Sequence, residues 1–261
     1  MSVILNHIIN DLKKMAKPKK ALFLQRFFKT GKGEYGEGDV FWGVMVPAQR
    51  KVVKKYFKEA SLKDVQRLLK SKIHEQRLVG VLVLVAKFSF PICHPRRPRR
   101  LGGQSGDPID LRDPRFREDD NKKQIFNFYL KNTKNINNWD LVDLSAPNIV
   151  GQYLLDKDKK ILSQLARSHN LWERRIAIIA TAAFIRNNQF EETIKIAKVL
   201  LKDKHDLIHK AAGWMLRETG KRDQKQLLKF LDLHKKEMPR MMLRYAIEKI
   251  PEIKRKYYLN K

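Results

Sequence analysis

The chain has 261 residues, of which 43% are hydrophobic, so it is long enough and apolar enough to form a core. Its 56 Lys and Arg residues outnumber its 28 Asp and Glu residues, which gives a formal net charge of +28. This excess runs from end to end and indicates a polyanionic partner, although a solvated basic surface without function is an alternative. The single cysteine, Cys93, excludes a disulfide framework and a cysteine zinc cluster.

The N-terminal residues have a helical pattern. Ile4, Leu5, Ile8 and Leu12 fit a stripe with i, i+3, i+4 spacing, which predicts an ordinary amphipathic helix and not a signal peptide. The longest apolar run, Leu78–Ala86, is too short to cross a membrane. We therefore expect a cytoplasmic monomer that makes no membrane contact.

A glycine-rich segment follows the next predicted helix, Leu22–Lys29. Gly31–Gly36 matches the spacing GxGxxG, but a dinucleotide site requires a preceding strand, and here a helix precedes it. We expect a flexible loop near a phosphate backbone, or simply the end of a helix. His74 and Glu75 lack the second histidine of an HExxH motif, and we expect both residues at the surface.

Helical periodicity continues through the C-terminal half, and no convincing strand pattern appears. Along the chain, a cation followed by small and aliphatic residues recurs at Arg77, Arg175, Lys210 and Arg244. The last three are 35 and 34 residues apart, which is the period of a two-helix solenoid unit. In such a stack the recurring cations would line a concave basic groove.

One segment interrupts this repeat. Residues 91–117 contain no lysine, seven arginines, five of the ten prolines and the only cysteine. We interpret residues 89–120 as an atypical Arg/Pro-rich inserted loop, or a local frame error in the sequence, within a single domain that covers residues 1–261. The arginines could contact DNA, but loops of this composition are usually solvated.

Trp139 and Asp143 are the most informative residues of the chain. At i and i+4 on a helix they share one surface, and an indole beside a carboxylate suits a cationic ring or a developing positive charge. The alternatives are a core tryptophan and an aspartate that caps the next helix. His205 and His209 could suggest a metal site, but Asp206 is better explained as a helix N-cap, so we expect no metal.

Five segments together carry a family resemblance. They are Val46–Lys51, Asn138–Asp143, Leu171–Arg175, Lys210–Glu218 and Arg244–Lys249. In this order they resemble the AlkD-like DNA glycosylases, a family of HEAT-like-repeat DNA alkylation repair proteins. The resemblance covers nearly the whole chain except about residues 88–120. It implies an all-α fold, a right-handed α-solenoid of HEAT-like two-helix repeats with a concave basic DNA-binding face.

The resemblance also implies site residues. Asp143 is similar to the catalytic aspartate of the family, and Trp139 and Arg175 complete its cluster. Trp214 and Phe27 fall where the family places aromatic residues that line the lesion-binding cleft, although tyrosine is more common at the position of Phe27. We expect phosphate contacts from a set of cations, namely Lys29, Arg174, Lys210, Arg217 and Arg244.

By this resemblance the protein is a DNA glycosylase that releases positively charged N3- or N7-alkylated purines, such as 3-methyladenine and 7-methylguanine, from duplex DNA. It would need no cofactor or metal and no base-specific flipping pocket, and it would be nucleoid-associated. Two alternatives stay open. The first is a non-catalytic HEAT-repeat protein that binds DNA structures, and the second is a protein-binding scaffold.

Overall fold

The computed structural model describes residues 2–90 and 114–260, and the secondary structure there is helical except for an isolated bridge between Val40 and Ile73. The all-helical prediction is confirmed. The α-helices are α1 (Val3–Lys14), α2 (Pro18–Phe27), α3 (Val46–Tyr56), α4 (Leu62–Leu69), α5 (His74–Ser89), α6 (Pro114–Lys131), α7 (Trp139–Ala146), α8 (Lys160–Leu165), α9 (Leu171–Ala180), α10 (Ala182–Arg186), α11 (Glu191–Val199), α12 (Asp206–Arg222), α13 (Gln224–His234), α14 (Arg240–Ala246) and α15 (Glu252–Leu259).

Short polar side chains begin several of these helices. Ser61 and Asp64 form a reciprocal capping box at the start of α4. Asn138 and Asn170 accept backbone N–H groups at the starts of α7 and α9. These caps satisfy N–H groups that have no partner inside the helix, so the sequence itself fixes where α7 and α9 begin.

The helices form two rows. In the inner row α3, α5, α7, α9, α12 and α14 each pack against the next helix along the row. In the outer row α4, α6, α8 and α13 each pack against one member of the inner row, and α11 packs against two, α9 and α12. This arrangement agrees with the predicted stack of helix pairs, in which each unit contacts its neighbours and the core runs continuously along the stack.

The four repeated cations all lie on inner-row helices, as the period predicted. Two of them do not line a basic surface, however. Arg77 on α5 is 4% exposed and Arg175 on α9 is 5% exposed, and both are paired with carboxylates. Lys210 on α12 is partly exposed and Arg244 on α14 is exposed. The repeat therefore supplies internal ion pairs on two helices and surface charge on the other two.

Glycine allows the closest helix contact near the C-terminal end. A Cβ atom placed on Gly213 of α12 would lie 2.5 Å from the carbonyl oxygen of Met242 and 2.6 Å from Cβ of Tyr245 on α14. Any other residue would push the two helices apart. The spacing of α12 and α14 is therefore fixed by backbone contact.

Helix α5 ends at Ser89 and α6 begins at Pro114. Most of the predicted insertion thus lies outside the described residues, although its last part forms the beginning of α6. Among the helices that the structure describes, none is long and apolar enough to cross a membrane.

Candidate functional site

Asp143 and Arg175 form a two-pronged ion pair between neighbouring inner helices. Arg175 Nε donates to Asp143 Oδ1 at 2.9 Å, and Nη2 donates to Oδ2 at 2.8 Å. The remaining guanidinium nitrogen, Nη1, donates to the carbonyl oxygen of Leu207 at 2.6 Å. This geometry fixes the plane of the carboxylate, and the arginine is itself held by α12. We call these two residues the Asp143–Arg175 pair.

The carboxylate of Asp143 is mostly but not completely buried. Its side chain is 15% exposed, against 6% for Arg175, so a ligand can reach it from one side. Burial raises the pKa of Asp143, and the charge and hydrogen bonds of Arg175 partly offset that rise. A carboxylate with a raised pKa accepts a proton more readily than an exposed one.

Trp139 lies one helical turn before Asp143 and belongs to an aromatic cluster. Its indole stacks on Phe28, with ring centroids 5.1 Å apart and an interplanar angle of 12°. Phe27 meets the same indole edge to face at 5.9 Å. Phe28 is buried, whereas Phe27 is 54% exposed and Trp139 is partly exposed. The structure thus brings together Phe27 and Trp139 next to the helix face that carries Asp143.

A second ionic cluster lies behind this aromatic stack. His74 Nδ1 is 3.1 Å from Asp39 Oδ2, and His74 Nε2 is 2.8 Å from Asp140 Oδ2. Arg77 Nη2 lies 2.6 Å from the same Asp39 oxygen, to which Asn138 also donates at 3.2 Å. We call His74, Asp39, Arg77 and Asp140 the His74 cluster. Its members join the loop before α3 to α5 and α7.

The expectation that His74 and Glu75 lie at the surface is wrong, because they are 2% and 1% exposed. The His74 ring packs against both Phe28 and Phe41, at centroid distances of 4.9 and 4.5 Å. Burial alone would lower the pKa of His74, but the carboxylates of Asp140 and Asp39 outweigh burial and raise it from 6.5 to about 9.

Glu75 organises the loop before α3. Its Oε1 accepts the backbone N–H groups of Trp42, Gly43 and Val44 at 3.0, 2.8 and 3.1 Å. One carboxylate therefore satisfies three consecutive backbone donors and fixes the loop on α5. Together with the His74 cluster, this contact accounts for both buried residues without any metal.

Tyr35 is a site residue that the sequence analysis missed. It lies in the Gly31–Gly36 loop, and its ring meets Trp172 of α9 edge to face at 6.2 Å. Burial raises the pKa of Tyr35, and the indole N–H of Trp139 partly offsets the rise. The loop thus folds over the site helices. An aromatic residue between glycines in a polar segment was the only signal that could have indicated this.

Three of the predicted phosphate-binding cations have internal partners. Arg174 Nε lies 2.6 Å from Asp203 Oδ2, and its Nη1 also donates to two backbone carbonyls. Arg217 pairs with Glu248 and Glu218. Lys210 Nζ lies 2.6 Å from Asp206 on the same helix. A phosphate would therefore compete with these contacts.

Lys29 and Arg244 differ from the other three. Both are exposed, and among the described residues neither side chain has a hydrogen bond or an ion pair. Lys29 also has a φ of 51°, in the left-handed region, at the turn that ends α2. These two cations are free to contact a phosphate.

The remaining predicted residues lie on α12. Trp214 is partly exposed and donates from Nε1 to Glu218 at 3.2 Å. His205, and not Asp206, is the N-cap, because its ring accepts the N–H of Leu207 at 3.1 Å. His209 Nε2 lies 2.6 Å from the carbonyl oxygen of Asp203. No group of three or more possible metal ligands occurs in the described part of the chain.

A family model described as DNA alkylation repair enzyme matches residues 8–94 and 109–250, which is most of the chain. The chain belongs to this family of DNA alkylation repair enzymes. The unmatched residues 95–108 fall inside the predicted insertion. Membership indicates a role in the repair of alkylated DNA and therefore DNA as the ligand.

A solved structure supports the fold of the family. It is described as a predicted DNA alkylation repair enzyme from Enterococcus faecalis, with a TM-score of 0.63 and 14% sequence identity. The similarity covers 91% of this chain and 98% of that chain. At this identity the similarity establishes the shared fold alone. No curated protein matches the sequence.

Proposed function

We propose that the protein is a DNA glycosylase that hydrolyses the N-glycosidic bond of positively charged N3- or N7-alkylated purines in duplex DNA, including 3-methyladenine and 7-methylguanine. The observation that carries the proposal is the Asp143 carboxylate. Arg175 donates a hydrogen bond to each of its oxygens, its side chain is 15% exposed, and it lies one turn from Trp139.

The chemistry needs only one carboxylate. Ordinary glycoside hydrolysis uses an acid to protonate the leaving group and a second carboxylate to stabilise the sugar or to activate water. Alkylation at N3 or N7 gives the purine a positive charge before the reaction begins. When the bond from C1′ to N9 breaks, its electron pair moves to the base and neutralises that charge, so no acid is required.

Asp143 would act on the sugar. As the bond breaks, positive charge develops on C1′ and the ring oxygen, and a nearby carboxylate stabilises that charge. A water molecule then attacks C1′, and Asp143 accepts one of its protons. The raised pKa of Asp143 favours this transfer, and the bidentate contact with Arg175 keeps the carboxylate oriented.

The aromatic residues would contact the substrate through their ring faces. Trp139 and Phe27 are partly exposed beside the carboxylate, and an indole face attracts a cationic base. Trp214 on α12 is also partly exposed and would offer a further ring face. Specificity would then come from the charge of the leaving group and not from an enclosed base-specific pocket, so uncharged lesions should be poor substrates.

The decisive experiment measures release of free 7-methylguanine and 3-methyladenine from methylated duplex DNA. We expect Asp143→Asn to lower the rate by at least about 100-fold, because charge stabilisation of the transition state is lost. The matched control is Asp156→Asn, whose side chain is 81% exposed, and it should retain the normal rate.

Two further measurements complete this test. Thermal unfolding of Asp143→Asn shows whether lost activity reflects lost structure, and filter binding over a salt series shows whether DNA affinity is retained. Wild-type protein that binds DNA but releases no base would favour a non-catalytic DNA-binding protein. Absence of DNA binding even at low salt would favour a protein scaffold.

A further inference from the structure

Helix α2 has an exposed apolar face, and the proposed reaction gives a role to only one of its residues, Phe27. None of its residues is buried. Leu22, Phe23 and Phe27 are 65%, 60% and 54% exposed. A short helix normally gains its stability by burying one face, so a helix with three large apolar side chains in solvent indicates a surface that binds a ligand.

The rings on this face continue the aromatic cluster of the site. Phe23 and Phe27, one turn apart, lie with centroids 6.1 Å apart and an interplanar angle of 15°. Phe27 in turn meets Trp139 at 5.9 Å. A row of aromatic rings therefore runs from Trp139, one turn before Asp143, outward into solvent.

Cations surround the outermost ring. Lys19 and Lys20 precede Phe23 by four and three residues, and Arg26 follows it by three, so all three are its neighbours on the helix surface. All three are exposed, and Pro18–Phe27 contains no acidic residue. An aromatic plane bordered by cations suits a ligand that combines flat rings with negative charge.

We propose that this face of α2 is a stacking shelf for unpaired nucleobases of DNA. The Phe23 and Phe27 rings stack on exposed bases, and Lys19, Lys20 and Arg26 contact the flanking phosphates. Stacking on an aromatic ring accepts every base, because each has a flat π face. This inference goes beyond the proposed function, since the shelf binds undamaged DNA and requires no base release.

Charge and position favour DNA over two other occupants. A second copy of the chain would bring the cations of two α2 helices together, which opposes self-association. An anionic lipid surface would match the charge, but it does not account for the continuity of the shelf with Trp139. A second copy of the chain and a lipid surface would each give a result different from that expected for DNA.

The test compares two undamaged, labelled duplexes of equal length, one fully paired and one with three unpaired bases at its centre. Fluorescence anisotropy measures the affinity of the full chain for each. We expect Phe23→Ala to weaken binding to the bulged duplex about tenfold, since stacking of one base is lost, and to leave binding to the paired duplex nearly unchanged.

Matched variants separate stacking from general apolar contact. Phe23→Trp should retain or increase the preference for unpaired bases, whereas Phe23→Leu, which keeps an apolar side chain without a ring, should lose it. Leu233→Ala removes an apolar side chain that is 66% exposed on α13, and it should change neither affinity.

Three results would overturn the proposal. The first is equal weakening of both duplexes by Phe23→Ala, or no weakening of either. The second is loss of binding to phosphatidylglycerol vesicles in Phe23→Ala with DNA binding intact, which would indicate a lipid surface. The third is a monomer–dimer equilibrium in sedimentation that Phe23→Ala abolishes. Failure of base release by the wild-type protein would leave these measurements unaffected, so the two proposals fail separately.

Discussion

The Asp143–Arg175 pair and the His74 cluster both join carboxylates to cations, but they differ in how far the carboxylates are enclosed. Both place carboxylates and cations between neighbouring inner helices, and α7 contributes an aspartate to each. Asp39 in the cluster is 5% exposed and has three partners, whereas Asp143 is 15% exposed and has Arg175 alone. A carboxylate that its partners enclose can only stabilise the fold. A carboxylate whose side chain stays partly exposed can also contact a substrate.

The difference arises from the order of residues on α7. Asp140 and Asp143 are three residues apart, so they lie on adjacent faces of the helix. Asp140 turns toward α5 and is closed off beneath the stack of Phe28 on Trp139. Asp143 turns toward α9, where it pairs with Arg175 and its side chain stays 15% exposed. The His74 cluster thus fixes the start of the helix that carries the proposed catalytic group.

The largest expected effect on stability comes from neutralising Asp39 in the His74 cluster. Asp39→Asn should lower the free energy of unfolding by about 3–5 kcal/mol, because it leaves two buried cations facing a neutral amide. The measurement is denaturant unfolding. Asp143→Asn should lose much less stability while losing base release. If the two variants lose similar stability, the division between a structural cluster and a functional pair is wrong.

The pH dependence of stability provides the next test. The pKa of His74 is raised in the folded protein to about 9, from 6.5 in the unfolded chain. Its stabilising contribution is therefore complete below pH 6.5 and is lost as pH rises through about 9. A shift of this size corresponds to about 3 kcal/mol.

His74→Gln isolates this contribution, because glutamine does not titrate. The difference in unfolding free energy between the wild-type protein and this variant should be largest near pH 6 and should shrink above pH 9. A difference that stays constant over this range would show that His74 is neutral in the folded protein, contrary to its two carboxylate contacts.

The pH dependence of base release tests the role of the Asp143–Arg175 pair. Asp143 must be ionised, so activity should fall on acidification, and because burial raises its pKa the fall should begin above the ordinary aspartate value. Arg175→Met removes the cation that lowers the pKa of Asp143. The pH below which activity falls should therefore rise by about one unit. Arg186→Met, an exposed control on α10, should not move it. An unchanged pH dependence in Arg175→Met would contradict the assignment.

The smallest effects concern the surface cations. Lys29 and Arg244 have no internal partner among the described residues, so replacing either by alanine should lower the salt slope of DNA binding by about one. Arg174 already pairs with Asp203, and its replacement should lower the slope by less. Equal slopes for all three alanine variants would mean that DNA displaces the internal partners.

The helical stack could be predicted because its signals are local and repeated. Apolar stripes defined the helices, and the recurrence of Arg175, Lys210 and Arg244 indicated units that follow one another in space. Asp143 and Arg175, which the resemblance placed in one cluster, lie in contact. Their roles in base release stay predictions that await measurement.

The His74 cluster could not be predicted in the same way. Asp39 and Asp140 are 35 and 66 residues away from His74, and no spacing rule connects a loop to two helices. Burial of Arg77 was also missed, because an arginine among small residues has the same pattern whether it faces solvent or a carboxylate. Tyr35 was missed because its position depends on how the Gly31–Gly36 loop folds back over α9.

The contact at Gly213 has a consequence for the DNA. Side chains between most helices can shift, but here the backbones of α12 and α14 meet directly, so this part of the protein resists changes in curvature. Trp214 and Arg244 lie next to the residues in this contact, which holds their backbones at a fixed spacing. A double helix bends at a cost of a few kcal/mol. We therefore expect the nucleic acid to be the compliant partner, and we expect the ease with which the sequence around a lesion bends to influence how tightly it is held.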